Sequence, residues 1–394
     1  LPGPWIAWAG IDALIGPRSA PPSWNGARAN HTMNSKDRVL AAINHVEPDR
    51  VPVDMWALPP ITDTLRAHLG IDGSPSASEP ADEGVWRALG VDLRSVWPAY
   101  AGPPLETFDD GAWTDWWGLR KRMIGPFEET VAPPLADAQT AADLEAHPWP
   151  DPDWFDYQGM RPACEALSEY ALVIRDLGAN ATCVLRVAMF LRGMEQLMMD
   201  LAMNPMLAHA IMARVEGFYL ELDRRIFEAV GDLTDIYLIA DDVGVQHGLM
   251  ISPRMFRRFI RPSLTRFFEQ AHAYDQKVMY HTCGAVRKLI PDFIEMGVDI
   301  LNPIQVSADG MDPAELKREF GDALCFHGAM DIQTVLSQGS PGEVRDEVKR
   351  LCDVLGPGGG FILAPTNNIM PETPMANILA LYETVHSAGR YPSE

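Results

Sequence analysis

The segment Tyr280-His281-Thr282-Cys283-Gly284 carries the sharpest chemistry in the sequence. Side chains alternate along a strand, so His281 and Cys283 point to one face. Imidazole and thiolate together suit zinc, and Gly284 lets the backbone turn away at once. An HxC pair alone is weak evidence; the competing reading is a buried histidine bonded to a neighbouring backbone group beside an inert thiol. Other polar residues also follow apolar runs: Asp241 and Asp242, Asn302 and Gln305, His327, and Asn367. Asp241 and Asp242 are adjacent and face opposite ways on a regular strand. One then enters a cavity while the other caps the next turn or a helix N-terminus. A carboxylate in the cavity would serve as a ligand, a partner for His281 or a general acid. His327 lies two residues after Cys325 and is a site candidate, with Cys325 as core. Cys352 reads as helix packing, and Cys164 and Cys183 have no cluster around them. Arg175, Arg186 and Arg192 lie at or just after expected strands, where each either receives a carboxylate or phosphate or pairs with an acidic neighbour. His281 and Cys283 are thus the metal candidates, and Asp241, Asp242 and His327 the catalytic ones. Arg186, His247 at the rim, Asn302, Gln305 and Asn367 are the substrate-binding candidates.

The elements that position them fall into a regular pattern from about residue 170. Short apolar runs, ALVIRD, CVLRVAM, IYLIADD, KVMYHTC, DILNPIQ, ALCFHGAMD and FILAPTNN, read as strands. Long amphipathic stretches lie between them, and GMEQLMMDLAMNPMLAHAIMARVEGFYLELDRRIFEAV reads as one helix whose Met-rich face is adaptable core. Alternating strands and helices continuing to the C-terminus predict an α/β chain closed as a (β/α)₈ barrel, with the site at the C-terminal ends of the strands. No GxGxxG follows a strand, and GPGGGF precedes one, so a dinucleotide fold is not expected. Residues 57–160 are irregular and rich in Pro, Gly and Trp. Within them, TFDDGAWTDWWGLRKRM reads as a hairpin turning at Asp110-Gly111 and covering the barrel mouth. Trp113, Trp116 and Trp117 would pack that hairpin on the barrel or stack on a flat ligand.

MNSKDRVLAAINHVEPDRVPV reads as a helix capped by Ser35 and followed by a strand. Residues 1–32 differ in composition and show no sustained period. They read as an extension outside a core domain of residues 33–394, or as an arm that packs on a partner subunit. The opening residues have neither a basic region nor a convincing cleavage site for export.

The 394 residues carry 54 acidic and 32 basic side chains, a formal charge of −22. That balance argues against a nucleic acid or an anionic membrane surface as partner, because both need clustered cations. No stretch approaches the roughly 20 consecutive apolar residues that span a bilayer. Five cysteines, odd in number and without disulfide spacing, read as reduced thiols in a cytoplasm.

Five blocks, taken in order, carry a resemblance: MNSKDRVLAAINHVEPDRVPV, LRGMEQLMMDLAMNPML, ADDVGVQHGLMISPRMF, HTCGAVRKLIPDFIEMGVDILNPIQ and FILAPTNNIMPETPMANILALYE. Over roughly residues 34–390 the chain resembles the uroporphyrinogen-decarboxylase superfamily, which implies the barrel. That superfamily holds the haem-pathway decarboxylase and also methyltransferases that work with corrinoids, and fold alone does not choose between them. The decarboxylase continues after RVPV with an arginine-bearing MRQAGR segment; here Val53-Asp54-Met55-Trp56 follows. Its GHGI histidine is also missing at Thr366-Asn367-Asn368-Ile369. The methyltransferases bind zinc through an HxC pair, matched by His281 and Cys283, and a cysteine in an APGCGIPP-like run, which falls on Asn367. His327, Asp241 or Asp242 would complete such a site. A metal with one thiolate fewer is more Lewis-acidic and better suited to polarising a donor oxygen. The resemblance therefore implies a zinc-dependent enzyme moving a methyl group from a small molecule, such as a methoxylated donor, to a corrinoid (cobalamin) on a separate carrier protein, with a homodimer as the assembly. The alternatives are a lyase that decarboxylates a small acid with Arg186 and an aspartate, and a non-catalytic corrinoid or tetrapyrrole binder.

Overall fold

Seven parallel strands lie side by side in chain order: β1 Leu93–Val96, β2 Ala171–Ile174, β3 Ile236–Ala240, β4 Lys277–His281, β5 Ile300–Ile304, β6 Cys325–Met330 and β7 Phe361–Pro365. The computed structural model describes residues 33–71, 82–125, 127–175 and 182–391. The expectations for residues 1–32 lie outside them. The ring between β7 and β1 is completed by the segment around Val53. The N–H of Asp54 donates to Leu363 O (3.0 Å), that of Leu363 to Pro52 O (2.9 Å), and that of Asp92 to Val53 O (2.9 Å). Val53 thus bridges β7 in parallel, and the expected barrel closes with this segment as its eighth stave.

Strand alternation sorts the barrel interior into layers. Leu93, Ala171, Val173, Ile236, Leu238, Met279, Ile300, Cys325 and Ile362 face one another inside the ring. Val39 and Ile43 of helix α1 (Ser35–Ile43) join that cluster and plug its floor. Each such aliphatic side chain taken from water contributes about 1.5–3 kcal/mol. Two residues further along most of these strands the side chain is polar, as at Ser95, Arg175, His281, Asn302 and His327, whereas Ala240 and Ala364 remain apolar.

Several local expectations need correction. Asn34, not Ser35, caps α1 by accepting from the Asp37 N–H (2.7 Å). The run CVLRVAM is not a strand: residues from 185 on form helix α2 (Leu185–Arg192). A short apolar run does not distinguish a buried strand from a buried helix. The expected single helix is broken at Asn204 into α3 (Met194–Met203) and α4 (Pro205–Val230), with Pro205 opening the second segment, where its missing N–H costs nothing. Arg192 ends α2 and is consumed there, donating to Asp200 (2.7 Å) and to the Leu135 and Ala136 carbonyls.

The Asp110-Gly111 turn is present, closed by the Phe108 N–H to Ala112 O bond (2.8 Å). It leads into strands Arg120–Ile124 and Phe127–Ala132, which form an antiparallel hairpin. Trp117 is buried against Phe218 and Tyr219 of α4, while Trp116 stacks on Tyr100, so both anchor this region by packing. No helix among the described residues is long and apolar enough to cross a membrane.

The closing stave is held by one fully buried carboxylate. Asp92 accepts from Ser35 (2.8 Å), Arg38 (2.7 Å), Arg50 (2.7 Å) and the Val53 N–H (2.9 Å). Removing it leaves the Arg50 guanidinium without its carboxylate and Arg38 with Asp49 alone, a loss of the order of 3–5 kcal/mol when one partner of a buried pair is deleted. Asp92→Ala is expected to lower the unfolding free energy by about that amount in urea titrations; a change under about 1 kcal/mol would show that the stave is held without it.

Candidate metal centre at the barrel mouth

The register places Ala240, His281 and Asn302 side by side across β3, β4 and β5. Asp242 continues the inward parity of Leu238 and Ala240, whereas Asp241 points out of the ring. The Asp241 carboxylate is buried and accepts from the N–H groups of Val184 (2.8 Å), Leu185 (3.0 Å) and Arg186 (2.9 Å). Burial pushes its pKa up to about 6 against the pull of these three bonds. Asp241 is therefore the N-terminal cap of α2 and is absent from the cavity, which corrects its reading as a catalytic group.

Asp242, His281 and Cys283 come together. Their ligand atoms all lie within 4.8 Å of one another. His281 Nε2 stands 3.5 Å from Cys283 Sγ and 3.9 Å from Asp242 Oδ1, and Asp242 also accepts from the Cys283 N–H (2.6 Å). A tetrahedral zinc ion with bonds of about 2.0–2.3 Å sets its ligand atoms roughly 3.3–3.8 Å apart. Nitrogen, sulfur and carboxylate oxygen at this spacing fit such an ion. Burial, then the Asp242 charge, pushes the Cys283 thiol above its ordinary pKa, and burial lowers that of His281. A cation at the centre reverses both penalties, because each ligand binds it deprotonated.

The backbone around the trio is shaped for it. Gly284 has φ +90°, and a Cβ there would stand 2.6 Å from Gly244 C and Val245 N. The chain therefore turns sharply after Cys283, as the sequence suggests. Gln305 accepts from the Gly284 N–H (2.9 Å) and holds Gln246 (3.0 Å).

Behind the trio lies a polar layer. The Asn302 side chain bridges His281 Nδ1 and His327 Nδ1. His327 Nε2 meets Asp54 Oδ2 at 3.1 Å. Asp54 also accepts from Arg175 (2.7 and 3.1 Å) and Trp56 Nε1 (2.8 Å). Burial would raise the Asp54 pKa, but Arg175 and His327 hold it well below the ordinary carboxylate range. Trp56 stacks on the His281 ring, centroids 5.2 Å apart at 19°. His327 and Asn302 are both completely enclosed, so neither reaches a substrate from this position. Sequence reasoning missed Asp54 and Trp56. The available signal was a polar residue one step past the RVPV run that reads as a strand. Arg175, left open between a ligand and an acidic partner, pairs with Asp54.

In front of the trio is a cavity of about 270 Å³ that Cys283, Gln305, Gln333, Asn367, Asn368 and Phe127 help to line. Phe127 belongs to the strand Phe127–Ala132, which lies C-terminal to the hairpin expected at Asp110-Gly111. Asn367 donates to Cys283 Sγ (3.5 Å). Arg186 is half-buried and turns its Nε to Cys183 Sγ (3.3 Å). His247 is corrected: it lies on an exposed loop, 82% solvent-accessible, 3.4 Å from Asp309, and does not contribute to the cavity.

A closed parallel barrel with an imidazole, a thiol and a carboxylate converging at its C-terminal mouth defines the class: a (β/α)₈ protein with a candidate metal centre where such barrels carry their chemistry. The chain belongs to the uroporphyrinogen decarboxylase (URO-D) family, whose sequence profile matches residues 127–388. It is 31% identical over 147 residues to the methylcobamide:CoM methyltransferase MtaA of Methanosarcina barkeri, covering 37% of this chain and 40% of that protein. It is 27% identical over 139 residues to the uroporphyrinogen decarboxylase of Thermus thermophilus, covering 35% and 38%. The chain thus matches about two fifths of the length of these curated relatives. A solved methyltransferase from Methanosarcina mazei shares the fold with a TM-score of 0.61 at 19% identity, over 90% of this chain and 98% of that one.

The two adjacent aspartates should separate experimentally. Asp241→Ala is expected to lower stability by about 1–2 kcal/mol, the usual cost of a lost helix cap, while zinc stoichiometry is kept. Asp242→Ala is expected to lose zinc with little change in melting temperature. Thermal melts and elemental analysis of the two proteins check this, and the opposite pattern would reverse the assignment.

Proposed function

We propose that this protein is a zinc-dependent methyltransferase that moves a methyl group from a small methoxylated molecule to a corrinoid held on a separate carrier protein. The observation that carries the reading is the composition of the centre. His281 and Cys283 stand with the carboxylate of Asp242, and an amide, Asn367, lies beside the sulfur where the resemblance places a second thiolate. Bound there, zinc supplies Lewis acidity toward a donor oxygen, and more of it than with two thiolates. The Asn367 N–H draws electron density from Cys283 Sγ and works in the same direction.

The chain's own residues bind and orient. His281, Cys283 and Asp242 hold the metal, with Trp56 against the face of His281 limiting its rotation. Gln305 and Asn367 offer amide groups to the donor, and Phe127 covers it. In the overall transfer the carbon–oxygen bond of the donor breaks, its electron pair stays on oxygen, which takes up a proton, and the methyl group joins the reduced cobalt of the corrinoid substrate. The decarboxylase relative supports a lyase as the rival reading. Against it, the described residues that line the cavity include no arginine or lysine to grip a carboxylate.

Zinc-loaded protein incubated with reduced free cobalamin and a panel of methoxylated and methylamino compounds is expected to give methylcobalamin with at least one methoxylated donor, read by the corrinoid spectrum. His281→Ala should abolish the reaction, and Cys352→Ala, in a helix away from the mouth, should leave it nearly intact. Release of carbon dioxide from a small carboxylic acid without methyl transfer would replace this reading with the lyase.

A further inference from the structure

We propose that Asn302 is a positioning residue that fixes the tautomers of two histidines at once, so that the charge of buried Asp54 determines which nitrogen of His281 faces the metal centre. Asp54 is enclosed in the barrel and is met by Arg175, Trp56, the Met55 N–H and His327. An ionised carboxylate only accepts hydrogen bonds, so His327 Nε2, 3.1 Å from Asp54 Oδ2, carries its proton. Arg175 already balances Asp54, and a second buried cation at His327 would face that guanidinium without compensation. Burial accordingly lowers the pKa of His327. A neutral imidazole has one N–H, so its Nδ1 offers a lone pair.

The amide of Asn302 has no remaining choice. The group that faces His327 Nδ1 must donate, so it is Nδ2, and Oδ1 is then turned toward His281. An amide oxygen only accepts, so His281 Nδ1 carries a proton. Nε2 is left as the ring atom that can present a lone pair, and it is the one beside Cys283 and Asp242. Metal-bound histidines are commonly fixed in this way by an acceptor on the other nitrogen. Here the acceptor is itself fixed through a second histidine, and Arg175, Asp54, His327, Asn302 and His281 are all buried.

Only the last step, from the His281 tautomer to metal binding, rests on the proposed metal centre. Long-range ¹H–¹⁵N spectra of metal-free protein labelled at histidine, assigned with His281→Gln and His327→Gln, read both tautomers directly. The expected result is a proton on Nδ1 of His281 and on Nε2 of His327. A proton on Nδ1 of His327, or none on Nδ1 of His281, overturns the inference. In zinc titrations Asn302→Leu is expected to weaken affinity by roughly 10- to 100-fold. Asn302→Asp, whose oxygens accept from both rings, should keep near wild-type affinity while moving a proton onto His327 Nδ1. Unchanged affinity in Asn302→Leu contradicts the proposal. Should Asn302→Leu fail to fold, the wild-type spectra and Asn302→Asp decide alone. Expected tautomers in a wild-type protein that binds no zinc would end the metal reading and leave the positioning role standing. Zinc binding with reversed tautomers would do the opposite.

Discussion

The gap between the last strand and Leu93–Val96 is filled by a segment that makes only a few ladder bonds, and the mouth of the barrel depends on how it is held there. Asp92 anchors the segment from outside the ring through Arg38, Arg50 and the Val53 N–H. Past Val53, Asp54 points inward and meets Arg175 from the end of β2, one stave beyond β1. Two buried carboxylates, each satisfied by arginine, thus lock the same short stretch from opposite sides. Such pairs give little net stability over an apolar packing but are costly to break. Their effect is to fix register at the seam, where strand pairing is weakest.

From that seam the layered interior follows. Apolar side chains fill the lower barrel with α1 as their floor, and the next inward position on successive staves supplies Asp54, Arg175, Asp242, His281, Asn302 and His327. A polar layer on a dry one is tolerable only if its members satisfy one another. Here donors and acceptors run in sequence from Arg175 to His281. The ligand cluster lies at the end of that sequence, and Cys283 lines a cavity there.

Much of this was legible in the sequence because it follows from a period of two. His281 and Cys283 share a face, polar residues end apolar runs, and adjacent Asp241 and Asp242 divide between the outside and the inside. The same parity, extended from Leu238 through Ala240, selects Asp242 as the inward member. Other features had no local signal. The run from Cys183 to Met189 reads as apolar in either period, and the three N–H groups capped by Asp241 belong to three consecutive residues more than fifty positions away. His247 follows the aspartates closely, but the strands at Gly244 and Gly248 turn the loop between them into solvent. Asp54 has no local signal of its role, because the arginine that pairs with it, Arg175, lies more than a hundred positions away on another stave.

The central claim is a metal held by one nitrogen, one sulfur and one carboxylate at the barrel mouth. X-ray absorption at the zinc edge of the loaded protein tests it most directly, since sulfur at about 2.3 Å and nitrogen or oxygen near 2.0–2.1 Å separate into distinct shells. One sulfur and the remainder nitrogen or oxygen, with the sulfur lost in Cys283→Ser, is the expected result. Two or more sulfurs, or a shell of oxygen and nitrogen alone, would contradict the site described.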